Sequence, residues 1–343
     1  MRNGNFGIHL NHMYCLVKEC SIRNNTCAIL FEWGPSNNIE GNIIWNNTYG
    51  IAFTDSSHYN IVKSNTIWNN YMGIYIEHSI NLSIYHNNFI NNTVQVHIEK
   101  YGNNSSWDVG YPLGGNYWSD YTDVDANGDG MGDTPYIIDA DNQDRYPLMH
   151  PWSSLPVHNI NTGLGYSAIQ EAINADETLD GHTIFVEAGI YYELVFVNKT
   201  INLLGESRIV TVIDGEVDVT ANGVVIIGFS IGGFTAFVNG MKMWFGVRLL
   251  GANCRVSDNT VFNTGMGLWL VNTTNNVISN NILIANDYNV YLSGSSNNTI
   301  SQNYIRSIEW PGGGILLMYY GIELDRCSNN TIIRNNITQC RRG

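Results

Sequence analysis

Charge is scarce in this sequence, and positive charge scarcer still. Asp, Glu, Lys and Arg make up 13% of 343 residues, and 16 Lys and Arg against 30 Asp and Glu give a formal net charge of −14. A phosphate backbone needs a basic face to displace its counterions, so the balance excludes nucleic acid as a partner. No run of roughly 18 apolar residues is present to span a bilayer, so no membrane span is expected in this segment. Met1 opens directly onto a repeat, without a leader h-region, and the chain runs to Cys340 just after another repeat strand. That pattern is expected of a fragment of a longer exported protein, placed outside the cell or on its surface. The six cysteines, at 15, 20, 27, 254, 327 and 340, lack the C-x-x-C spacing of a zinc or redox site. Cys15, Cys20 and Cys27 are close enough in sequence for a disulfide, but thiols buried in a core are the favoured reading.

What is present is a repeat. Hydrophobic residues reach 44%, enough for a buried core, and the length suits about two domains. Gly50-Ile-Ala-Phe-Thr-Asp recurs 23 residues later as Gly73-Ile-Tyr-Ile-Glu-His, and earlier as Cys27-Ala-Ile-Leu and Gly7-Ile-His-Leu. In the second half Gly246-Val-Arg-Leu is followed by Gly267-Leu-Trp-Leu, Asn289-Val-Tyr-Leu and Gly321-Ile-Glu-Leu. Each is a short alternating strand. Between them one Asn recurs per repeat, at 42, 65 and 87 and again at 259, 281, 303 and 335. Strands at a period near 22 residues cannot each bury an apolar face alone, so successive coils must stack in parallel, about 4.8 Å apart. Asn at a repeating turn tolerates left-handed backbone angles, and stacked amides can bond from coil to coil. An amphipathic helical repeat fails on the period-2 alternation, and a leucine-rich repeat lacks its L-x-x-L-x-L frame. The expected fold is all-β, a right-handed parallel β-helix in two tandem stretches.

Three stretches are expected: coils over residues 1–100, an acidic Gly/Asn/Asp-rich module over 101–156, and a second β-helix over 157–343. Ser167-Ala-Ile-Gln-Glu-Ala-Ile-Asn-Ala places apolar residues on one helical face, with Ser167 and Gln170 spaced as a capping box. This short helix is expected to cap the N-terminal end of the second stack and protect its edge. A longer loop, Ser307-Ile-Glu-Trp-Pro-Gly-Gly-Gly, is expected where the strand spacing widens to 32.

The coil sequence GIYIEHSINLSIYHNNFINN resembles the NosD-like and carbohydrate-binding/sugar-hydrolase (CASH) parallel β-helix repeats common in archaeal cell-surface proteins. YSAIQEAINADETLDGHTIFVEAGIYYE is similar to the N-terminal cap of that group, with His182 where an Asp is usual, and the segment from Gly114 to Met149 is similar to its terminal module. The resemblance implies the fold and a surface location. It leaves the activity open, since the fold hosts lyases, hydrolases, epimerases and inert stalks.

Four sets of residues are candidates for chemistry. Asp125, Asn127, Asp129, Met131 and Asp133 match ligand positions of a calcium loop, with Gly130 at the sharp turn, although Tyr136 stands where a bidentate Glu would. Calcium would be structural there. Glu32 and Asp55, read as aligned on successive coils about 5 Å apart, would suit a pair of glycosidase carboxylates, with His78 as a base. Trp45, Trp68 and Tyr75 in the first half and Trp269 and Tyr291 in the second are outward aromatics that would stack on sugar rings or on one another. Copper, implied by the NosD name, would need clustered soft or imidazole ligands, whereas His58, His78, His86 and His97 are spread over several coils. The N-x-S/T triplets at Asn24, Asn46, Asn81, Asn91, Asn104, Asn198, Asn272, Asn297, Asn329 and Asn336 permit glycosylation of an exported chain. The leading expectation is a polysaccharide- or glycan-binding surface protein without catalysis in this segment. The alternatives are a polysaccharide hydrolase, lyase or epimerase, a spacer or adhesin, and a copper-site maturation factor.

Overall fold

The computed structural model describes residues 5–99, 104–233, 245–306 and 320–340. The loop expected from Ser307 lies outside them. The fold is a parallel β-solenoid of the right-handed type, with about 13 turns and almost no helix. The chain divides into two compact units, Met1–Ser154 with Ile160–Leu164, and Leu155–Asn159 with Gly165–Gly343.

In the first unit each of the first four coils contributes one strand to each of three sheets, and the fifth adds to the first and third. One sheet runs through Phe6–Leu10, Cys27–Glu32, Tyr49–Thr54, Met72–Ile76 and Val94–Ile98; a second through Leu16–Lys18, Asn38–Glu40, Ile61–Lys63 and Ser83–Tyr85; the third through Ser21–Arg23, Ile43–Trp45, Thr66–Trp68, Asn88–Ile90 and Tyr117–Trp118. Alternation sends Ile29, Phe31, Ile51, Phe53 and Ile74 inward, where they are fully buried, and Phe31 stacks on Phe53 at 4.6 Å. Removing such side chains from water is the main stabilising term.

The corners are fixed by amide ladders. Asn65 Oδ1 accepts the Asn42 backbone N–H at 2.9 Å, Asn87 accepts that of Asn65 at 3.0 Å, and Asn116 that of Asn87 at 3.0 Å. The ladder ends on a carboxylate: Asp144 accepts the Asn116 N–H at 2.7 Å and the Trp118 indole N–H at 2.9 Å. Parallel ladders run from Asn37 to Asn60 and from Asn25 through Asn47 and Asn70 to Asn92. The cysteines find their place here. Cys15 and Cys20 hold the first rungs, their N–H groups bonded to Asn37 and Asn42 at 2.8 and 2.9 Å. Each thiol turns back to the carbonyl two residues before it, as the ladder amides do. All six cysteines are free; only Cys27 and Cys254 are fully buried, the other four half-buried.

The second unit repeats the plan with sheets through Thr183–Val186 to Thr331–Ile333, Gly189–Tyr191 to Asn336–Thr338, and Val195–Val197 to Tyr320–Asp325. Its ladders run Cys254, Asn276, Asn298, Asn330 and Asn259, Asn281, Asn303, Asn335. Ile169–Asn174 is the one α-helix among the described residues, and Ile169, Ala172 and Ile173 pack into this unit's core. Its N-terminus corrects the expected capping box. Ser167 bonds Glu171 at 2.8 Å rather than Gln170, and the free N–H groups of Ile169 and Gln170 are taken by Glu193 at 3.0 and 2.9 Å. A tertiary carboxylate does what a local side chain was expected to do.

Candidate functional site

Register decides which outward side chains stand together. Cys27 faces Tyr49 and Glu32 faces Thr54, whereas Tyr49 faces Met72. The coil starting at Cys27 is therefore one residue shorter than the next, because the corner from Thr54 to Ile61 is longer than that from Glu32 to Asn38. The buried pairs Ile29/Ile51 and Phe31/Phe53 enforce this register, since a one-residue slip would turn them outward. The expected alignment of Glu32 with Asp55 is corrected accordingly. Glu32 sits on the strand face and bonds His9 at 3.0 Å, while Asp55 and His78 fall in the corner with left-handed φ of 51° and 53°.

Beside Glu32 runs a row of polar contacts. Tyr75 stacks on His97 at 5.8 Å and meets Tyr49 edge-on at 5.5 Å. Its hydroxyl bonds Glu77 at 3.3 Å, and His97 bonds Glu99 at 3.3 Å. Burial, then the Glu77 and Glu99 carboxylates, push the Tyr75 phenol up to about 12, so it stays a donor at neutral pH.

Trp45 and Trp68 align as expected, stacked at 5.0 Å and 11°. The Arg23 guanidinium lies 4.9 Å over Trp45 from the coil before and Trp68 stacks on it from the coil after, so both faces of Trp45 and one face of Trp68 are taken. The open aromatics lie elsewhere. Tyr14, Trp33 and Tyr59, at the corner between the first and second sheets, are 80%, 64% and 61% exposed. All three carry left-handed φ, 61°, 60° and 58°. Bulky residues are outliers there, at a cost of about 1 kcal/mol each. The same corner positions on other coils hold Ser36, Asp55, His78 and Asn81. The signal was in the sequence: Trp33 occupies the place that Asp55 and His78 take one and two coils on.

In the second unit Trp269 and Tyr291 face each other in a column with Asp218, Arg248 and Glu323. Arg248 forms a two-bond pair with Asp218, at 2.8 and 2.5 Å, and lies 4.8 Å over Phe245 and 5.6 Å over Trp269. A cavity of about 190 Å³ opens here, lined by Phe196, Glu216, Asp218, Phe245 and Arg248 among others. The Trp269 indole N–H and one Glu323 oxygen are buried without a hydrogen-bond partner among the described residues. Aromatic walls with a few fixed polar groups are the composition of a small-ligand site.

In the acidic loop the carboxylate of Asp125 accepts the N–H groups of Gly128, Asp129 and Gly130 at 2.7, 3.1 and 2.8 Å. Asp129 accepts that of Met131 at 3.0 Å and Asp133 that of Ala126 at 3.1 Å, while Asn127 bonds Asp129 at 3.0 Å. The side chains thus hold the loop's own backbone. Among the described residues no three His, Cys, Asp or Glu side chains gather in a group that could hold a metal ion.

A family model described as "Periplasmic copper-binding protein (NosD)" matches residues 1–123 and 175–343. A cell surface glycoprotein of Methanothermus fervidus is 35% identical over 117 residues, 33% of this chain and 18% of the relative. The chain therefore spans under a fifth of that relative's length. A pectin methylesterase crystallised with a hexasaccharide superposes with a TM-score of 0.34 at 14% identity, covering 50% of this chain and 63% of that chain; at that score the likeness carries no argument. The described residues do not fit a copper site. Their imidazoles are dispersed and engaged: His9 with Glu32, His97 with Glu99, His158 with Glu187, and His86 stacked on Trp152 at 3.6 Å. The corner thiols turn onto their own backbone carbonyls. Copper ligation asks instead for convergent imidazole, thiolate or thioether groups.

Proposed function

Because this chain belongs to the NosD family, whose model covers coils of both units, we propose that it is a cell-surface β-solenoid that binds polysaccharide without transforming it. The relative from Methanothermus fervidus, itself a cell surface glycoprotein, supports the location. No helix among the described residues is long and apolar enough to cross a membrane. The observation that carries the glycan reading is the corner of Tyr14, Trp33 and Tyr59. Exposed aromatic rings are held there in a backbone conformation that opposes them, and such strain persists where binding selects for it. The Arg248 cavity beside Trp269 adds a second contact of the same chemistry in the other unit.

Affinity electrophoresis through gels containing neutral, amino and acidic polysaccharides tests this reading. Wild-type protein is expected to be retarded by at least one polymer. Trp33→Asn should bind it about tenfold more weakly, about 1.4 kcal/mol, while unfolding at the same or slightly higher temperature, since Asn tolerates the left-handed corner. Equal retardation of the two proteins would sink the corner as the binding site.

The proposal extends to organisation and to calcium. The first unit would be the end of one coil stack closed by the acidic module, and the Ile169–Asn174 helix would cap a second stack. Asp125, Asn127, Asp129, the Met131 carbonyl and Asp133 would turn from their backbone contacts to hold a structural calcium ion. Asp125 already orders the loop around Gly130. Calcium at millimolar concentration is then expected to raise the melting temperature by several degrees; an unchanged melt at that concentration ends the idea.

A further inference from the structure

The triplets Asn24-Asn-Thr, Asn46-Asn-Thr, Asn91-Asn-Thr, Asn297-Asn-Thr and Asn329-Asn-Thr give their two asparagines opposite roles. The second is a ladder amide: Asn47, Asn92 and Asn298 are 4%, 8% and 0% exposed, and Asn25, Asn47 and Asn298 each donate to the next rung. The first points out of the corner, exposed, with left-handed φ of 59°, 54°, 51°, 56° and 55°. Only the first stands two residues before the Thr, which is the acceptor frame for N-linked glycosylation. The ladder amide is out of frame in all five, buried in three of them and half-buried at Asn25 and Asn330.

Stacking then limits how many acceptors can be used. Asn24 lies directly over Asn46, its N–H bonded to the Asn46 carbonyl at 3.2 Å. Asn297 stacks over Asn329 in the same way, with Asn298 bonded to Asn330 at 2.9 Å. Asn104 donates its side-chain amide to that of Asn81, one coil before. Coils repeat at about 4.8 Å, which leaves no width for two branched oligosaccharides side by side. Asn91 has no acceptor below it, since Asn69-Asn-Tyr breaks the frame.

We propose that these corner asparagines, all exposed except the half-buried Asn81, are N-glycosylation sites, used at most once per stacked pair: one of Asn24 and Asn46, one of Asn81 and Asn104, one of Asn297 and Asn329, with Asn91 modified independently. The inference rests on the surface location proposed above. The co-substrate is a lipid-phosphate-linked oligosaccharide delivered by a membrane glycosyltransferase. The acceptor Nδ2 forms a bond to the anomeric carbon, the bond from that carbon to the phosphate oxygen breaks, the lipid phosphate leaves, and the amide gives up one proton. The glycans would line the corners of the coils and leave the strand faces bare.

Glycopeptide mass spectrometry on the protein from envelope and cytosolic fractions of its own cells tests both layers. Expected are envelope protein, glycan on Asn91, never two glycans on one stacked pair in one molecule, and none on Asn47, Asn92 or Asn298. With Asn46→Gln, occupancy of Asn24 should rise while the melting temperature falls by a few degrees at most, the cost of a longer side chain at a left-handed corner. Envelope protein with bare triplets, or with Asn24 and Asn46 both occupied in one molecule, overturns the inference and leaves the surface reading standing. Protein confined to the cytosol overturns both.

Discussion

Replacing Asn65 by alanine is expected to cost the first unit about 3 kcal/mol or more, whereas Asn69→Ala, a few residues on, should cost about 1 kcal/mol or less. The Asn65 amide is fully buried. It accepts the backbone and side-chain N–H groups of Asn42, both at 2.9 Å, and donates to the carbonyls of Ile39 and Lys63 and to Asn87, each at 2.9 Å. Truncation leaves the Asn42 N–H buried and unpaired, at about 1 to 3 kcal/mol, and strips one hydrogen bond each from the Ile39 and Lys63 carbonyls and from Asn87, at about 1 kcal/mol each. Asn69 is an exposed corner residue with φ of 52°, so alanine there loses only the ease with which Asn adopts that angle. Urea unfolding of the two variants decides the matter. Equal losses would mean that the ladder amides are no more than turn formers.

Asp144→Ala is expected to be comparably damaging, because it removes the acceptor on which the longest ladder ends. Asp144 is fully buried and receives the N–H groups of Asn116, Trp118 and Tyr146 at 2.7, 2.9 and 3.1 Å. All the ladder donors point toward this end, so a carboxylate complements them, yet burial pushes its pKa up to about 7. The sign follows. A folded-state pKa above the ordinary value near 3.8 means that the folded chain holds the proton more tightly. The stability this group contributes is whole below about pH 4 and is lost as pH rises through about 7, at up to about 1.4 kcal/mol per pH unit. Wild-type stability should therefore carry this slope between pH 4 and 7, and Asp144→Asn should lack it. Parallel curves for the two proteins would show that Asp144 does not titrate in that range.

The coils were legible because they are periodic. Asn42, Asn65 and Asn87 recur at the spacing of the alternating strands, and that repeat predicts both parallel stacking and the amide ladder that the structure contains. Three things were not legible, each for a physical reason. Corner length is free to vary by one residue, so aligning Cys27 with Gly50 displaced Glu32 from its true neighbour Thr54. The end of the ladder lies across a long sequence gap, so Asp144 could not be paired with Asn116 from spacing alone. Outward aromatics look alike in a sequence: Trp45 and Trp68 were aligned correctly, but only the geometry places Arg23 and the neighbouring coil on their faces and leaves Trp33 in solvent. The cysteines were decipherable in principle, since Cys20 stands 22 residues before Asn42 and takes the first rung.

The proposed glycan contact lies at the strained corner rather than on the stacked tryptophans. Indole N–H resonances, assigned by single Trp→Phe variants, measure this directly during titration with a polysaccharide that retards the protein. The Trp33 signal is expected to shift with saturation while those of Trp45 and Trp68 stay in place. Shifts at Trp45 and Trp68 with Trp33 unmoved would contradict it.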